Sequence, residues 1–588
     1  MPGQDRRKNK KLRRKKINFN KGYTPWNNKL QFELGAEADP SNGANIRVTR
    51  PEMEIYEAAL TQHKGAANTL PTRLRPRHSY KEETEEQEDC SENIIVNFSK
   101  LKDFIKKCIK HRCRNHSKVD VAISKRMGLC ISLRAMCEKC HFDIRSCKVY
   151  TECEKKSRGP ASGYLHEAMT LAVLKTKMGG TDLQMALACL NIKVPSLQLI
   201  STNVNKQCDK MIELNEAAMI KNQQFVQEFN NCIGKENEVD VETDTAYNNR
   251  NQVGYEAGTQ SFCPLIEKNT GLNLLMTMST ANKLCNKKIN CSHNECKKTY
   301  SSEETISSSE GKLAEKILQK MNDHKILKVK SVTSDASAQL SKVVREFGKK
   351  SGNSIRYYQC FVHRMRTVQK YIKNLTFSKL QPGYDRDFFR QRLATCIRSR
   401  VRLELVRIHK ISTQHHFATL AQSAIKNIVS CFSGNHANCK ENSLACCAHL
   451  DTHNTKFLPY GVYLNLSVVD KKKIESALNK SLSLDVLNKI SSLHTTNQCE
   501  SLHHRVFTYA PKSVLHKRNF HGLCHSACHS STFGTGKSSI LLAKSLGLDF
   551  SKCAPFFKFM IRKDIIALYY SQRKKTAKYK IQKFFGKV

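Results

Sequence analysis

The chain has 588 residues, length for roughly three to four domains, and sets 98 Lys and Arg against 52 Asp and Glu, a formal charge of +46. Self-repulsion on that scale opposes compaction, so the excess points to a polyanionic partner. No stretch supplies about 18 uninterrupted apolar residues, and the amino terminus (MPGQDRRKNKK) has no apolar signal region. The expectation is an intracellular chain with no membrane partner and with nucleic acid as its ligand. The 25 cysteines, odd in number and often two to six residues from another Cys or His, then suggest zinc rather than disulfides.

In chain order, residues 1–93 read as a disordered basic arm followed by an acidic linker. Residues 1–16 hold nine Lys or Arg and one Asp, without apolar periodicity, which suits nuclear import and phosphate contact. Residues 94–160 are Cys-rich. Over 161–232 helical spacing recurs three times, in GYLHEAMTLAVLKTK, from Thr181 through DLQMALACL, and from Pro195 onward. The last two have the proportions of a helix-turn-helix, which would read DNA.

From about 233 the pattern becomes that of strands. ENEVDVETDTAY sets Val239, Val241 and Thr243 against Asp240, Glu242 and Asp244, the alternation of a half-buried strand. GTQSFCPLIE and LNLLMTMST are further strands. A helix near 305–322, the strand ILKVKSVTS, a helix, a strand around IRYYQCF and a helix from about 364 follow. This is an α/β sheet of mixed direction, occupying 233–380. Residues 381–485 read as a helical insertion, 486–550 as a return to the core, and 551–588 as a basic tail.

Two constellations carry chemistry. Phosphodiester cleavage uses divalent cations bound by carboxylates brought together from separate elements. Asp244 near one strand end and Asp335 directly after another can meet at one sheet edge. Cys285, Cys291, His293 and Cys296 offer four zinc ligands within 12 residues. Cys137 and Cys140 form a half-site whose partners stay open among Cys108, Cys113, His141, Cys147 and Cys153. His436, Cys439 and Cys446, with Cys431 nearby, form a third cluster. FGTGKSS is not a P-loop, since Ser531 stands where the first Gly must be; its glycines mark a turn.

The run of three strands, Asp335 after the fourth, Cys360-Phe-Val-His363 and then TTNQCESLHHR resembles the Mutator-like transposases over about residues 95–550. The resemblance implies an RNase H-like core of the DDE type with a long helical insertion, preceded by the Cys-rich and helical segments and flanked by disordered basic tails. It implies Asp244, Asp335 and Glu500 as the ligands of Mg2+ (or Mn2+), with Asp240 or Glu242 as alternatives for the first. Cys360 and His363 take a structural or DNA-positioning role, and Arg364 and Arg366 contact phosphate. The expected partners are transposon ends and target DNA, with a homo-oligomer expected to assemble on them in the nucleus and Zn2+ expected as the second cofactor. The competing expectation is a catalytically silent, zinc-dependent DNA-binding protein derived from such an enzyme.

Overall fold

The computed structural model describes residues 92–113, 118–153, 161–176, 178–248, 258–285, 296, 298–300, 308–377, 386–446, 458–577 and 579. Helix α1 (Phe98–Lys110) starts where the Asn97 side chain accepts from the Lys100 amide. It covers an antiparallel sheet of β1 (Val119–Met127), β2 (Cys130–Cys137) and β3 (Asp143–Lys148). Phe104, Ile131, Leu133, Ala135 and Val149 fill the small core between them. These strands are not evident in the sequence, because Cys and Lys interrupt the alternation.

Helices α2 (Tyr164–Lys175), α3 (Gly180–Ala188) and α4 (Leu197–Cys232) follow. The two starts expected at Thr181 and Pro195 lie within two residues of the observed caps, Gly179 and Ser196; the Ser196 hydroxyl accepts from the Leu199 amide. At 36 residues, α4 buries Ile200, Val204, Met211, Met219 and Val226. That apolar stripe packs on the main sheet and on a later helix, so α4 is a core element, and a helix with that face buried cannot lay it in a DNA groove.

The main sheet contains β4 (Glu238–Thr243), β5 (Ala246–Tyr247), β6 (Gln260–Glu267), β7 (Leu275–Asn282), β8 (Lys328–Ser334) and β9 (Arg356–Gln359). Its order is β7-β6-β4-β8-β9, with the short β5 continuing the line of β4 along β6. β6 runs antiparallel to β4 and β7, whereas β8 is parallel to β4 and β9 to β8. The mixed direction expected from the sequence is therefore present. α5 (Ser309–His324), α6 (Ala338–Ser351) and α7 (Phe361–Lys373) connect and cover these strands. Val239, Val241, Leu265, Met276, Ile317, Val332 and Val344 form the core beneath.

The insertion is helical, comprising α8 (Arg386–Ile411), α9 (Gln414–Phe432), α10 (Cys439–Asn442), α11 (Val468–Ser481) and α12 (Leu484–Lys489). Its core, including Leu393, Leu405, Phe417 and Ile425, is continuous with Met365, Val368 and Ile372 of α7. Packing thus seats the insertion on the helix that follows β9. The chain then returns through α13 (Asn497–Tyr509), α14 (Phe520–Phe533), α15 (Thr535–Ser545) and α16 (Pro555–Lys575).

The tail expected to be disordered from residue 551 is largely helix. Pro555 opens α16 with a preset φ, and Asp564 ties it to the preceding turn by accepting from the amides of Gly536 (2.7 Å) and Lys537 (2.8 Å). Residues 580–588 and the basic arm up to residue 91 lie outside the described residues. Among the described residues no helix is long and apolar enough to cross a membrane.

Candidate active site and metal-ligand clusters

Asp244 stands in the break between β4 and β5, Asp335 directly follows β8, and Glu500 lies in the first turn of α13. β4 and β8 are parallel neighbours, so the two aspartates emerge at the same end of adjacent strands. His363, on α7, joins the other two: its Nδ1 lies 2.5 Å from Asp335 Oδ1 and its Nε2 lies 3.3 Å from Glu500 Oε1. Arg366 is 3.5 Å from the same Glu500 oxygen.

The electrostatics are those of crowded anions. Burial pushes the Asp244 carboxyl up to about 7, with further contributions from Asp335, Glu310 and Glu500. Asp335 is raised by burial as well, against the opposing pull of His363 and Thr496. Hard carboxylate oxygens held together against their own repulsion suit a divalent cation. Asp335, Cys360 and His363 also bring three ligand atoms within 4.8 Å of one another.

Asp240 and Glu242 of β4 and Asp244 just beyond it have different partners. Asp240 accepts from Ser331 Oγ at 2.5 Å. Glu242 is fully buried, ion-paired to Lys268 Nζ at 2.7 Å, and accepts from the Cys499 amide at 2.8 Å. The Asp244 carboxyl feels both Asp335 and Glu500. Lys268 also donates to the Thr495 carbonyl (3.2 Å), so Lys268 and Glu242 fasten the start of α13 to the sheet.

Sequence reasoning missed three more neighbours. Glu310, in the first turn of α5, accepts from Ser337 Oγ at 3.1 Å, and burial raises its carboxyl. His503, one turn beyond Glu500, donates from Nε2 to the Asp244 carbonyl at 3.1 Å; burial lowers its pKa to about 4, which keeps it neutral. Thr496 donates its hydroxyl to Cys360 Sγ (3.3 Å) and to Asp335 Oδ1 (3.4 Å). Nothing local in the sequence distinguishes these from ordinary polar residues at or near a helix start.

Of the two arginines after His363, Arg364 is turned to the Gln359 side chain, whereas Arg366 is exposed beside Glu500. Arg366 also borders a groove of about 690 Å³ between α7 and α8, lined further by Phe361, Met365, Arg398, Arg402 and Val406.

Two Cys-His groups bring together four ligand atoms that can hold a metal such as zinc. In the first, the partners of Cys137 and Cys140 are His111 and Cys113. Cys140 Sγ lies 3.4 Å from His111 Nε2. The amides of Cys140 and Lys139 lower the Cys137 thiol to about 6, favouring thiolate, and His141 takes a left-handed φ of 53° to close the turn. His111 escaped the sequence reading because it lies far upstream of the Cys pair. The second group is Cys431, His436, Cys439 and Cys446. Cys285 and Cys296 bring their sulfurs to 3.6 Å; Cys291 and His293 lie outside the described residues.

The turn GTGK is tied to α16 through its backbone amides. Its free amides are taken by Asp564, and a Cβ on Gly536 would lie 2.0 Å from the Met560 carbonyl oxygen.

A mixed sheet carrying acidic residues at adjacent strand ends, a large helical insertion and Cys-His groups that could hold a metal define a mixed α/β protein. The family model described as Mutator-like transposase matches residues 92–447, and the chain belongs to that family. Membership implies a transposase role with DNA as partner. The match includes Asp244, Asp335 and the Cys-His clusters and ends before Glu500. No curated protein matches the chain.

Proposed function

We propose that the chain is a DDE-type transposase that cleaves transposon ends and joins them to target DNA, with Asp244, Asp335 and Glu500 as the ligands of Mg2+ or Mn2+. The observation that carries this reading is that Asp335 and Glu500 both contact His363, while Asp244, after the parallel neighbouring strand, feels the charge of both acids. The order β7-β6-β4-β8-β9 with β6 antiparallel supports an RNase H-like core. When bound, two divalent cations activate the attacking oxygen and stabilise the leaving one.

The protein's own groups position these ligands. His363 keeps Asp335 and Glu500 facing each other, and neutral His503 fixes the Asp244 backbone without adding charge. Arg366, Arg398 and Arg402 line a groove beside the carboxylates, where the backbone of a DNA strand is the complementary ligand. Zinc at His111, Cys113, Cys137 and Cys140 braces the amino-terminal sheet. The +46 charge and basic arm suit a nuclear protein, and two transposon ends held together suit an oligomer on DNA.

The test is release of a 3′-hydroxyl and its joining to target DNA, followed on labelled transposon ends with Mg2+. Wild type should do both. Glu500→Gln should do neither while still binding the ends. Equal products from both proteins would remove Glu500 from the site.

A further inference from the structure

The cluster within the insertion combines ligand convergence with support around each ligand. Cys431 lies in the last turn of α9, His436 in the following turn, Cys439 at the start of α10 and Cys446 shortly after it. The spacing is Cys-x4-His-x2-Cys-x6-Cys. All four ligand atoms fall within 4.8 Å of one another, and the three cysteines are buried together.

The separations fit a tetrahedral ion. Bond lengths of roughly 2.3 Å to sulfur and 2.0–2.1 Å to nitrogen give tetrahedron edges of about 3.8 Å between two sulfurs and about 3.5 Å between sulfur and nitrogen. Cys431 Sγ and Cys446 Sγ are 3.7 Å apart, and Cys446 Sγ is 3.3 Å from His436 Nδ1. A disulfide needs about 2.05 Å, so this pair is not one.

Two further contacts favour the metal-bound chemistry. His436 presents Nδ1 to the sulfurs, while its Nε2 lies 3.1 Å from the Tyr463 hydroxyl. Ligating histidines characteristically have their other nitrogen held in this way, which fixes ring and tautomer. Arg400, itself buried, donates from its guanidinium to Cys431 Sγ (3.6 Å), so the sulfur stands as an acceptor, the role a metal-bound sulfur also takes.

We infer that Cys431, His436, Cys439 and Cys446 form a structural zinc site that closes the insertion. Binding releases the three thiol protons to solvent as thiolates take up Zn2+, and the closed four-ligand shell leaves no position for substrate. The site has a mechanical consequence. Arg400 donates to Ser443 Oγ (2.9 Å) and to Glu404 Oε1 (3.0 Å), and Glu404 accepts from the Leu444 amide (2.9 Å). The zinc loop is thereby pinned to α8, the helix that presents Arg398 and Arg402 to the groove.

The test is metal content of the full chain by mass spectrometry, native and as Cys446→Ser, with the His111–Cys140 ligands intact in both. The variant should carry one zinc fewer per chain. Cysteine alkylation mapped on the native chain provides a second readout that needs no variant. Cys431, Cys439 and Cys446 should react only after a chelator has stripped the metal, at least tenfold faster than before. Unchanged zinc in Cys446→Ser, alkylation indifferent to chelator, or a disulfide between Cys431 and Cys446 would each overturn the site. None of these readouts depends on DNA cleavage.

Discussion

The buried carboxylate of Glu242 accepts a hydrogen bond from the backbone amide of Cys499, 2.8 Å away and 257 residues later in the chain. One residue further on is Glu500, so a buried strand acid sets where the helix-borne acid stands. Lys268 neutralises Glu242 at 2.7 Å. Lys268→Met leaves that carboxylate buried and unpaired, a loss of about 3–5 kcal/mol for a pair of this kind. Chemical denaturation of Lys268→Met against wild type checks the stability. Glu242→Gln, which retains an acceptor, should reduce strand cleavage at least tenfold while changing DNA affinity less than twofold. Equal loss of both would make Glu242 a general fold residue and not a positioning one.

The groove arginines supply the second prediction. Arg398 and Arg402 line the cavity between α7 and α8. Each lost phosphate contact should lower the slope of log affinity against log salt by roughly 1. Arg398→Gln with Arg402→Gln should flatten it by about 2 and weaken all sequences alike, because phosphate contacts position without specifying. Fluorescence anisotropy over a salt series checks this; an unchanged slope would take DNA out of the groove.

The glycine turn gives a third. A Cβ on Gly536 would lie 2.0 Å from the Met560 carbonyl oxygen, backbone that cannot swing aside. Gly536→Ala should therefore undock α16 and cost about 1–3 kcal/mol, read as a lower thermal midpoint. ATP with Mg2+ should leave the wild-type midpoint unchanged, since Asp564 already holds the turn's amides.

Asp240, Glu242 and Asp244 divide their partners in a way that no local sequence pattern encodes. Alternation places Asp240, Glu242 and Asp244 on one face of the strand, and Asp335 at a strand end was legible from KVKSVTS. Which acid meets Asp335 depends on Ser331 and Cys499, contributed by segments 91 and 257 residues away, and no local pattern encodes that. The mixed sheet was visible because its strands alternate or are continuously apolar. The β1–β3 sheet was not, since its alternation is interrupted, and His111 could not be matched to Cys137 and Cys140 without it. The helical α16 was hidden by the charge that made the segment resemble a tail.

Lys175 yields a pH prediction. Its ammonium is buried beside Ser538 Oγ (2.7 Å) and Ser530 Oγ (3.3 Å), and burial lowers its pKa from 10.5 to about 7. Between those values the unfolded chain holds a proton that the folded chain lacks, so this group makes stability rise with pH. Below about pH 7 both states are protonated and the full cost of the buried charge remains. Lys175→Met should be more stable than wild type at pH 6, and the advantage should shrink steadily toward pH 9.5. Denaturation at several pH values reads the difference, and a pH-independent gap would contradict the assignment.

Metal-dependent strand cleavage is proposed for Asp244, Asp335 and Glu500. Its most direct measurement is nicking of DNA carrying the element's own ends, with Mg2+ or Mn2+, by wild type and Asp335→Asn at matched DNA occupancy. Wild type should nick at the transposon ends, Asp335→Asn should not, and the variant should bind equally or slightly more tightly because a repulsive carboxylate is gone. Binding by both without cleavage by either would contradict the proposal and leave a DNA-binding protein that has kept the acids without the reaction.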